Sequence, residues 1–326
     1  VICGCIDRRC GQVRSMTQRI TSFEAWERVR PARVVYTVGN FDGVHLGHQR
    51  LLGVLHSMAL ECAAVPVVVT FTGHPQTVIE NKSDLFLLTD ADQRADLLAE
   101  SAVPLVFEPA FTGAIASMEP HQFLESLAGQ GAVGFVVGDD FRFGAARKGG
   151  VEDVAGFLEQ SGNGCLAIVP GLVMDGERVS STRIRALLAS GDVEPAARYL
   201  GRDYTLRGCR QPGDRIGSAI GFPTVNLHGF KTMLPANGVY LGRMHHAGRE
   251  YQAMVYAGSR PTIGGREQRV ECHVLDARPD VAPLDEVAVS FTCRLRGEMA
   301  FSDRDALARQ LNMDRAAALA RLALMR

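Results

Sequence analysis

The stretch TVGNFDGVHLGHQ, Thr37 to Gln49, decides the fold of the first half of this chain. The β-branched run Val34–Val38 leads into it and ends at Gly39 and Asn40, which predicts a strand running into a turn. Beyond it, His48 to Cys62 carries Leu51, Leu52, Leu55 and Leu60 on one helical face. Val65–Phe71 then reads as a second buried strand. Strand, helix and strand in such short compass make a βαβ unit with a parallel sheet.

The same alternation continues outward. Helices are predicted near Ala91–Glu100 and Pro120–Leu127. Strands are predicted near Pro104–Phe107 and Gly134–Val137, the latter running into GDDFRFG. This half is expected to be α/β and doubly wound. Ser180–Arg185 opens a helix that ends near Ser190-Gly191, and a short helix follows to Leu200.

After Gly201 the texture changes. Val239–Met244, Tyr251–Tyr256, Arg269–Leu275 and Val287–Thr292 alternate apolar with polar residues, punctuated by Gly and Pro. That pattern predicts a small antiparallel β-barrel or sandwich. An Ala/Leu/Arg-rich helix, Asp303 to Arg326 with Ser302 as N-cap, closes the chain. Three parts are expected: a disordered extension (1–15), an α/β domain (16–199) and a β domain (200–326).

The chain has 326 residues, 46% hydrophobic and 22% charged, which fits two ordinary globular domains. Its formal net charge of -1 argues against a general nucleic-acid or membrane-surface binder. No apolar run is long enough for a transmembrane helix, and no secretory segment opens the chain. A cytoplasmic location follows as an expectation, with the scattered cysteines as free thiols. Cys3, Cys5 and Cys10 cluster, but a metal site would need a fourth ligand and firmer spacing.

The chemistry of the opening stretch follows from its place. It lies at the carboxyl end of the first strand of the βαβ unit, where open α/β sheets bind ligands. It opens a helix whose free N–H groups and positive dipole end favour phosphate. His45 and His48, three apart, both offer donors there, and Gly47 lets backbone approach a ligand. No nucleophile is evident, so direct transfer on phosphorus with departing pyrophosphate fits best. Two other readings stand beside it: solvated helix residues, or a zinc pair. Zinc on a helix usually takes histidines four apart with a third ligand.

There is no GxxxxGK[ST], so a Walker-type NTPase is not expected. The H-x-G-H arrangement resembles the nucleotidylyltransferase superfamily. The fuller GNFDGVHLGHQ resembles the FMN adenylyltransferase module of bacterial bifunctional riboflavin kinase/FAD synthetases. TFTGHP (Thr70–Pro75), GDDFRFG (Gly138–Gly144) with Arg147 and Gly149, and VSSTRIR (Val179–Arg185) resemble further segments of that module, in its order. The resemblance implies a Rossmann-like nucleotidylyltransferase domain in which an FMN phosphate oxygen attacks the α-phosphorus of ATP. It implies nucleotide-side roles for Gly39, Asn40, Asp42, His45, His48, Ser181, Thr182, Arg183 and Arg185. His74 and Asp140 fall near the FMN. Phe141 and Phe143 are expected in the core.

In the second half, GDRIGSAIGFPTVNL (Gly213–Leu227) offers Gly213, Gly217 and Gly221 as a loop able to close over phosphates. Thr224 and Asn226 present oxygens on one side of an extended segment, hard ligands of the kind that suit Mg²⁺. A glycine-rich hairpin without ligand is the alternative. The string resembles the riboflavin kinase domain of the same family. So do LPANGVY (Leu234–Tyr240), GSRPT with Arg260, VECHVLD with Glu271, and CRLRGEMAFSDRDALARQL with Arg296. By that resemblance Glu271 takes the proton of the riboflavin 5′-hydroxyl, which attacks the γ-phosphorus of ATP.

The resemblance spans about residues 30 to 311. The family usually has Arg at Ser218, Ala at Val225 and Asn at Tyr256. Two readings follow. The leading one is a bifunctional enzyme making FMN and then FAD, with ATP as co-substrate, riboflavin and FMN as flavin substrates, and Mg²⁺. The second keeps only FMN adenylylation and leaves the barrel a weakened or regulatory flavin-binding module. A nucleotidyltransferase of other specificity and a pure binding protein are weaker alternatives. Partners are expected to be these small molecules and FAD, without nucleic acid or membrane, on a monomer or weak homo-oligomer.

Overall fold

The computed structural model describes residues 17–73, 87–128, 131–162, 164–212, 216–262 and 265–325. Residues 1–15, His74 and Gly213 lie outside the described residues, as do Cys3, Cys5 and Cys10. Packing divides the chain into two units. The first takes in residues up to Val44, His48 onward and Ala91–Gly171, and the second takes in His45–Gly47 and Leu172 onward.

The first unit is a six-stranded parallel sheet in the order β1-β4-β3-β2-β5-β6. Its strands are β1 (Gln18–Ile20), β2 (Val34–Val38), β3 (Val65–Val69), β4 (Leu105–Phe107), β5 (Ala132–Gly138) and β6 (Cys165–Val169). All five residues of β2 are buried, as a central strand covered on both faces requires. Val34, Tyr36 and Val38 pack into one cluster with Trp26 and Phe107, while Val35 faces Leu52, Leu55 and Ala59. Those three are the inner stripe of a helix, Leu46–Glu61. It begins two residues earlier than the hydrophobic spacing predicts.

Helices α1 (Phe23–Val29), α2 (Leu46–Glu61), α3 (Ala91–Glu100), α4 (Gly113–Ala116), α5 (Pro120–Ala128) and α6 (Val151–Gln160) belong to this layering. Five of these elements escape the sequence reading: β1, α1, α4, α6 and β6. β1 is only three residues long, α1 is short and buries chiefly Trp26, and β6 is largely exposed. β1, α1 and β6 carry no full apolar period, whereas α6 does, with Val154, Phe157 and Leu158 buried on one face, and escapes nonetheless. β2 pairs with β3 on one side and β5 on the other, so the chain order reverses across β2. That reversal is the topological switch point where open α/β sheets bind ligands.

The second unit holds a closed barrel in the order β10-β13-β12-β11-β14-β9. Its strands are β9 (Tyr204–Gln211), β10 (Val225–His228), β11 (Gly238–His246), β12 (Arg249–Thr262), β13 (Gly265–Val274) and β14 (Glu286–Gly297). Closure leaves no unpaired sheet edge. A two-stranded ribbon, β7 (Val173–Met174) with β8 (Glu177–Arg178), precedes α7 (Ser181–Ser190) and α8 (Val193–Leu200). Ile184, Leu187, Leu188, Ala196 and Tyr199 join Tyr204, Val289 and Phe291 in one core. Arg294 Nη1 donates to Ser190 O at 2.9 Å and adds a polar tie between α7 and the barrel.

The one-turn α9 (Ile216–Ala219) stands before β10, and α10 (Arg304–Leu324) ends the described chain. Asp303, not Ser302, caps α10: its Oδ1 accepts from Ala306 N at 2.7 Å, and Ser302 Oγ donates to Asp303 Oδ2. A carboxylate is the better acceptor for the unpaired N–H groups, and that bond pulls the Asp303 pKa down. α10 packs on the outside of the barrel through Ala318, Leu311 and Leu322, against Leu241, Met254 and Cys293.

Candidate active sites of the two halves

The turn after β2 is wound tightly. Phe41 and Val44 take positive φ values of 49° and 37°, and Gly43 takes 83°. A β-branched residue in that region is strained and persists only where its surroundings hold it. Here burial holds it, since Phe41 and Val44 are each 1% exposed in the core beneath α2. Asp42 and His45 are buried with them. His45 therefore sits in the turn immediately before α2, and His48 lies in its first turn against the Phe41 ring, 5.0 Å between centroids. Asn40 is exposed beside them, and its carbonyl accepts from Thr70 Oγ1 at 3.2 Å.

Gly47 is needed for close approach. A Cβ there would lie 3.1 Å from the His45 ring and 3.6 Å from the carbonyl of Val179. Val179 begins the VSSTRIR segment, so the two motifs meet at this glycine. Ser180 spends its hydroxyl as the N-cap of α7, accepting from Arg183 N at 3.2 Å. Ser181 and Thr182 follow in the first turn, and Arg183 pairs with Glu177. Arg185 is half-buried one residue past the buried Ile184.

GDDFRFG splits as its residue types predict. Phe143 is buried and stacks on Phe141 at 5.1 Å, while Asp140 and Arg142 are exposed. Asp139, beside Asp140, accepts from Gly171 N at 3.1 Å.

The barrel assembles its site by register. Reading across the ladder, Gln211, Asn226, Glu271, Tyr256, Val239 and Arg296 are successive Cα partners. Opposed residues in a sheet share a face. Cys272 and Val270, flanking Glu271, point into the core, so the row lies on the outer face, the face that α10 partly covers. Thr224 Oγ1 donates to Glu271 Oε2 at 3.5 Å, and Asn226 Nδ2 donates to Thr224 Oγ1 at 3.3 Å. Arg269 Nη1 lies 3.5 Å from Glu271 Oε1. Tyr256 donates to Glu298 Oε1 at 2.6 Å, and Asn237 Nδ2 donates to Glu298 Oε2 at 2.9 Å.

Gly217 lies in α9, where a Cβ would collide with the Phe222 carbonyl at 2.3 Å. Gly221 has φ of 85°. The predicted loop is thus partly a helical turn. Behind it, a cavity of about 450 Å³ is lined by Ser218, Thr224, Val225, Cys272, Arg210 and Arg278. That volume is within the range of small-molecule pockets. Arg210 and Arg278 escape motif reading, because a lone arginine at a strand end or in a loop gives no pattern.

Arg260 is in register with Glu267 across β12 and β13. Arg296 chelates Asp314 of α10, with Nε 3.0 Å from both carboxylate oxygens and Nη2 at 2.9 Å. Asp314 is 4% exposed, so this is a buried pair that fastens α10 to the ladder row.

The donor set at Glu271 suits magnesium. Thr224, Asn226 and one carboxylate are hard oxygen donors, and Mg²⁺ usually takes only one or two protein ligands beside water and phosphate. Among the described residues no group of three or more His, Cys, Asp or Glu could hold a metal. No described helix is long and apolar enough to cross a membrane.

Comparison with known proteins matches this geometry half by half. A model for FAD synthetase matches residues 28–183, and one for riboflavin kinase matches residues 200–322. A bifunctional riboflavin kinase/FMN adenylyltransferase of Pseudomonas fluorescens is 33% identical over 292 residues, covering 88% of this chain and 92% of its own. The Bacillus subtilis protein of the same description is 30% identical, again covering 88% and 92%. A crystal structure described as a macrolide-efflux protein from Streptococcus pneumoniae superposes with a TM-score of 0.82 at 28% identity, covering 93% of this chain and 98% of that one. The chain belongs to the bifunctional riboflavin kinase/FMN adenylyltransferase family: its barrel half phosphorylates riboflavin to FMN, and its sheet half adenylylates FMN to FAD.

Proposed function

We propose that His45 and His48 donate hydrogen bonds to the ATP phosphate chain while an FMN phosphate oxygen bonds to the α-phosphorus. The bond to the β-phosphate oxygen breaks, and pyrophosphate leaves. The burial of His45 ahead of α2 and the place of His48 in its first turn support this, since that helix end favours anions. Gly39, Asn40 and Asp42 shape the nucleotide side of the turn. Ser181, Thr182, Arg183 and Arg185 hold phosphate at the start of α7, with Arg183 exchanging Glu177 for the nucleotide. His74 and Asp140 serve the flavin side.

In the barrel, Glu271 accepts the proton of the riboflavin 5′-hydroxyl as its oxygen bonds to the γ-phosphorus and ADP leaves. Thr224 and Asn226 hold Mg²⁺, which when bound neutralises phosphate charge. Gly213, Gly217 and Gly221 frame the phosphates, and the cavity at Ser218, Arg210 and Arg278 takes the nucleotide. Arg260 contributes to ligand binding. Arg296 acts on the flavin side through its hold on α10. The observation that carries this reading is the convergence of Thr224, Asn226 and Glu271. It also speaks against a barrel kept only for regulation.

Riboflavin, ATP and Mg²⁺ with the purified protein, resolved by chromatography, test it. FMN and FAD are expected, with both lost on chelating the metal. FAD formed only from supplied FMN would overturn the kinase roles.

We further propose that kinase chemistry resides in residues 200–326 and that residues 172–199 brace it. Both fragments, 172–326 and 200–326, should form FMN, the shorter melting lower because Ile184, Leu187 and Tyr199 are gone. A shorter fragment of equal stability would remove the bracing role. A cytoplasmic monomer or weak homo-oligomer, acting on small molecules without nucleic acid or membrane, completes the reading.

A further inference from the structure

Five cysteines lie among the described residues, and all are free thiols. Cys272 and Cys293 are buried, and Cys209 is exposed. Cys62 and Cys165 differ from these because they lie near enough for each thiol to act on the other, with Cys62 packed in one cluster with Met58, Val133 and Ala167 beside the start of β6. Cys62 follows the last residue of α2, and its N–H donates to Met58 O at 2.9 Å. Cys165 opens β6 opposite Gly134 of β5. A Cβ built on Gly134 would lie 2.9 Å from the Cys165 carbonyl and 3.1 Å from Met58 Sδ, so the last turn of α2 lies directly over this end of the sheet. Arg33 fixes the other side, donating to the Cys62 carbonyl through Nε at 3.2 Å and Nη2 at 2.8 Å. Cys165 is exposed and Cys62 half-buried. Neither takes part in the chemistry of either half.

We propose that Cys62 and Cys165 form a reversible disulfide site, oxidised by small-molecule disulfides of the glutathione type into a crosslink between the end of α2 and the start of β6. The exposed Cys165 thiolate attacks one sulfur of the external disulfide and releases one thiolate. Cys62 then attacks the Cys165 sulfur of the mixed disulfide and releases the second. Two protons leave the protein thiols, so one external disulfide is reduced to two thiols as one protein disulfide forms. Burial pushes the Cys62 thiol pKa up and the neighbouring thiol adds to the rise, with the Arg33 guanidinium pulling the other way.

The crosslink joins residues roughly a hundred apart in sequence, the span at which loop-closure models give a large gain. The helix between Cys62 and the histidine turn is about 24 Å long, at ~1.5 Å per residue. Oxidation is therefore expected to raise the unfolding temperature of the sheet half and leave FAD formation within about twofold.

The test uses the full chain, incubated natively with oxidised glutathione, alkylated and mapped by mass spectrometry. Expected are a Cys62–Cys165 linked peptide pair two hydrogens lighter than the reduced pair, a glutathione adduct on Cys209, and reversal by dithiothreitol. Cys62→Ser should leave a lasting glutathione adduct on Cys165 and lose the thermal shift. A wild-type protein with adducts on Cys165 and no link to Cys62, or with Cys165 linked to any other cysteine, would overturn the proposal.

Discussion

The two halves handle phosphate with opposite architecture. In the sheet half, Asn40, Asp42, His45 and His48 come from one short stretch, bent by positive φ at Phe41, Gly43 and Val44. In the barrel half, Thr224 and Asn226 meet Glu271 only because β10 and β13 pair in one register. The first site is local and strained. The second is non-local and made of ordinary extended backbone. A local site depends on the core under one turn, whereas a registered site depends on the whole ladder. In a ladder, a slip of one residue would turn Glu271 inward.

The largest expected effect separates the two chemistries. His48→Ala is expected to lower FAD formation by about 10²–10³-fold and leave FMN formation unchanged, since it removes the proposed donor to developing charge. Glu271→Ala should do the reverse, lowering FMN formation by about 10²–10⁴-fold, the usual range for a general base. Chromatography of flavins from each variant reads both outcomes. Loss of both activities from either change in a folded protein would break the comparison.

Next in size are the buried ion pairs, one in each half. Glu108 is 1% exposed and accepts from Arg94 and from Arg19 Nη2, the latter at 2.7 Å. Asp314 takes a comparable place under Arg296. Removing one partner of such a pair costs about 3–5 kcal/mol, because the other charge stays buried. Glu108→Gln, which leaves the buried Arg94 without its carboxylate while Arg19 keeps Asp92, is expected to destabilise its half by about that amount in urea unfolding. Asp314→Asn should cost less, since Arg296 is more exposed, yet it should raise KM for riboflavin by freeing α10. Equal stability loss with unchanged KM would deny Arg296 a role beyond fastening.

The two halves also differ in how much could be read in advance. The sheet half is legible because its motif is contiguous and sits on strands such as β2 that announce themselves by unbroken burial. Thr224, Asn226 and Glu271 could be named from residue type and family resemblance, but nothing local to Glu271 distinguishes it from an outward strand residue. Its meaning comes from a partner 47 residues away. Arg210, Arg278 and Glu298 escaped for the same reason. β1, α1 and β6 escaped for a different one: each is too short or too exposed to show a period.

Tyr256 probes the ladder more gently. It stands opposite Glu271, where the family usually has Asn, and its hydroxyl ties Glu298. Tyr256→Phe keeps the ring and leaves Glu298 without the tyrosine donor, Asn237 still holding its other oxygen. A hydrogen bond to a charged group is worth about 1.5–3 kcal/mol when buried, and less at this half-exposed position. A threefold to tenfold rise in KM for riboflavin at unchanged kcat is therefore the expected order of effect. Unchanged KM in the Phe variant would make the tyrosine a mere wall.

The smallest expected effect lies in acid. His245 of β11 has its ring Nε2 2.6 Å from the buried Ser290 hydroxyl, and burial lowers its pKa from the ordinary value. Glu250, 3.6 Å from Nδ1, and Asp203 pull the other way, while Arg243 adds to the lowering. The unfolded chain thus takes up this proton at a higher pH than the folded one. By linkage, the stability contribution of neutral His245 is complete above about pH 6.5 and is lost as pH falls from there through the folded pKa. The barrel half should therefore lose melting temperature between about pH 7 and 5, and His245→Gln should flatten that part of the profile. If the slope survived the substitution, the acid sensitivity would not belong to His245. The contrast between the halves would then rest on chemistry and register alone.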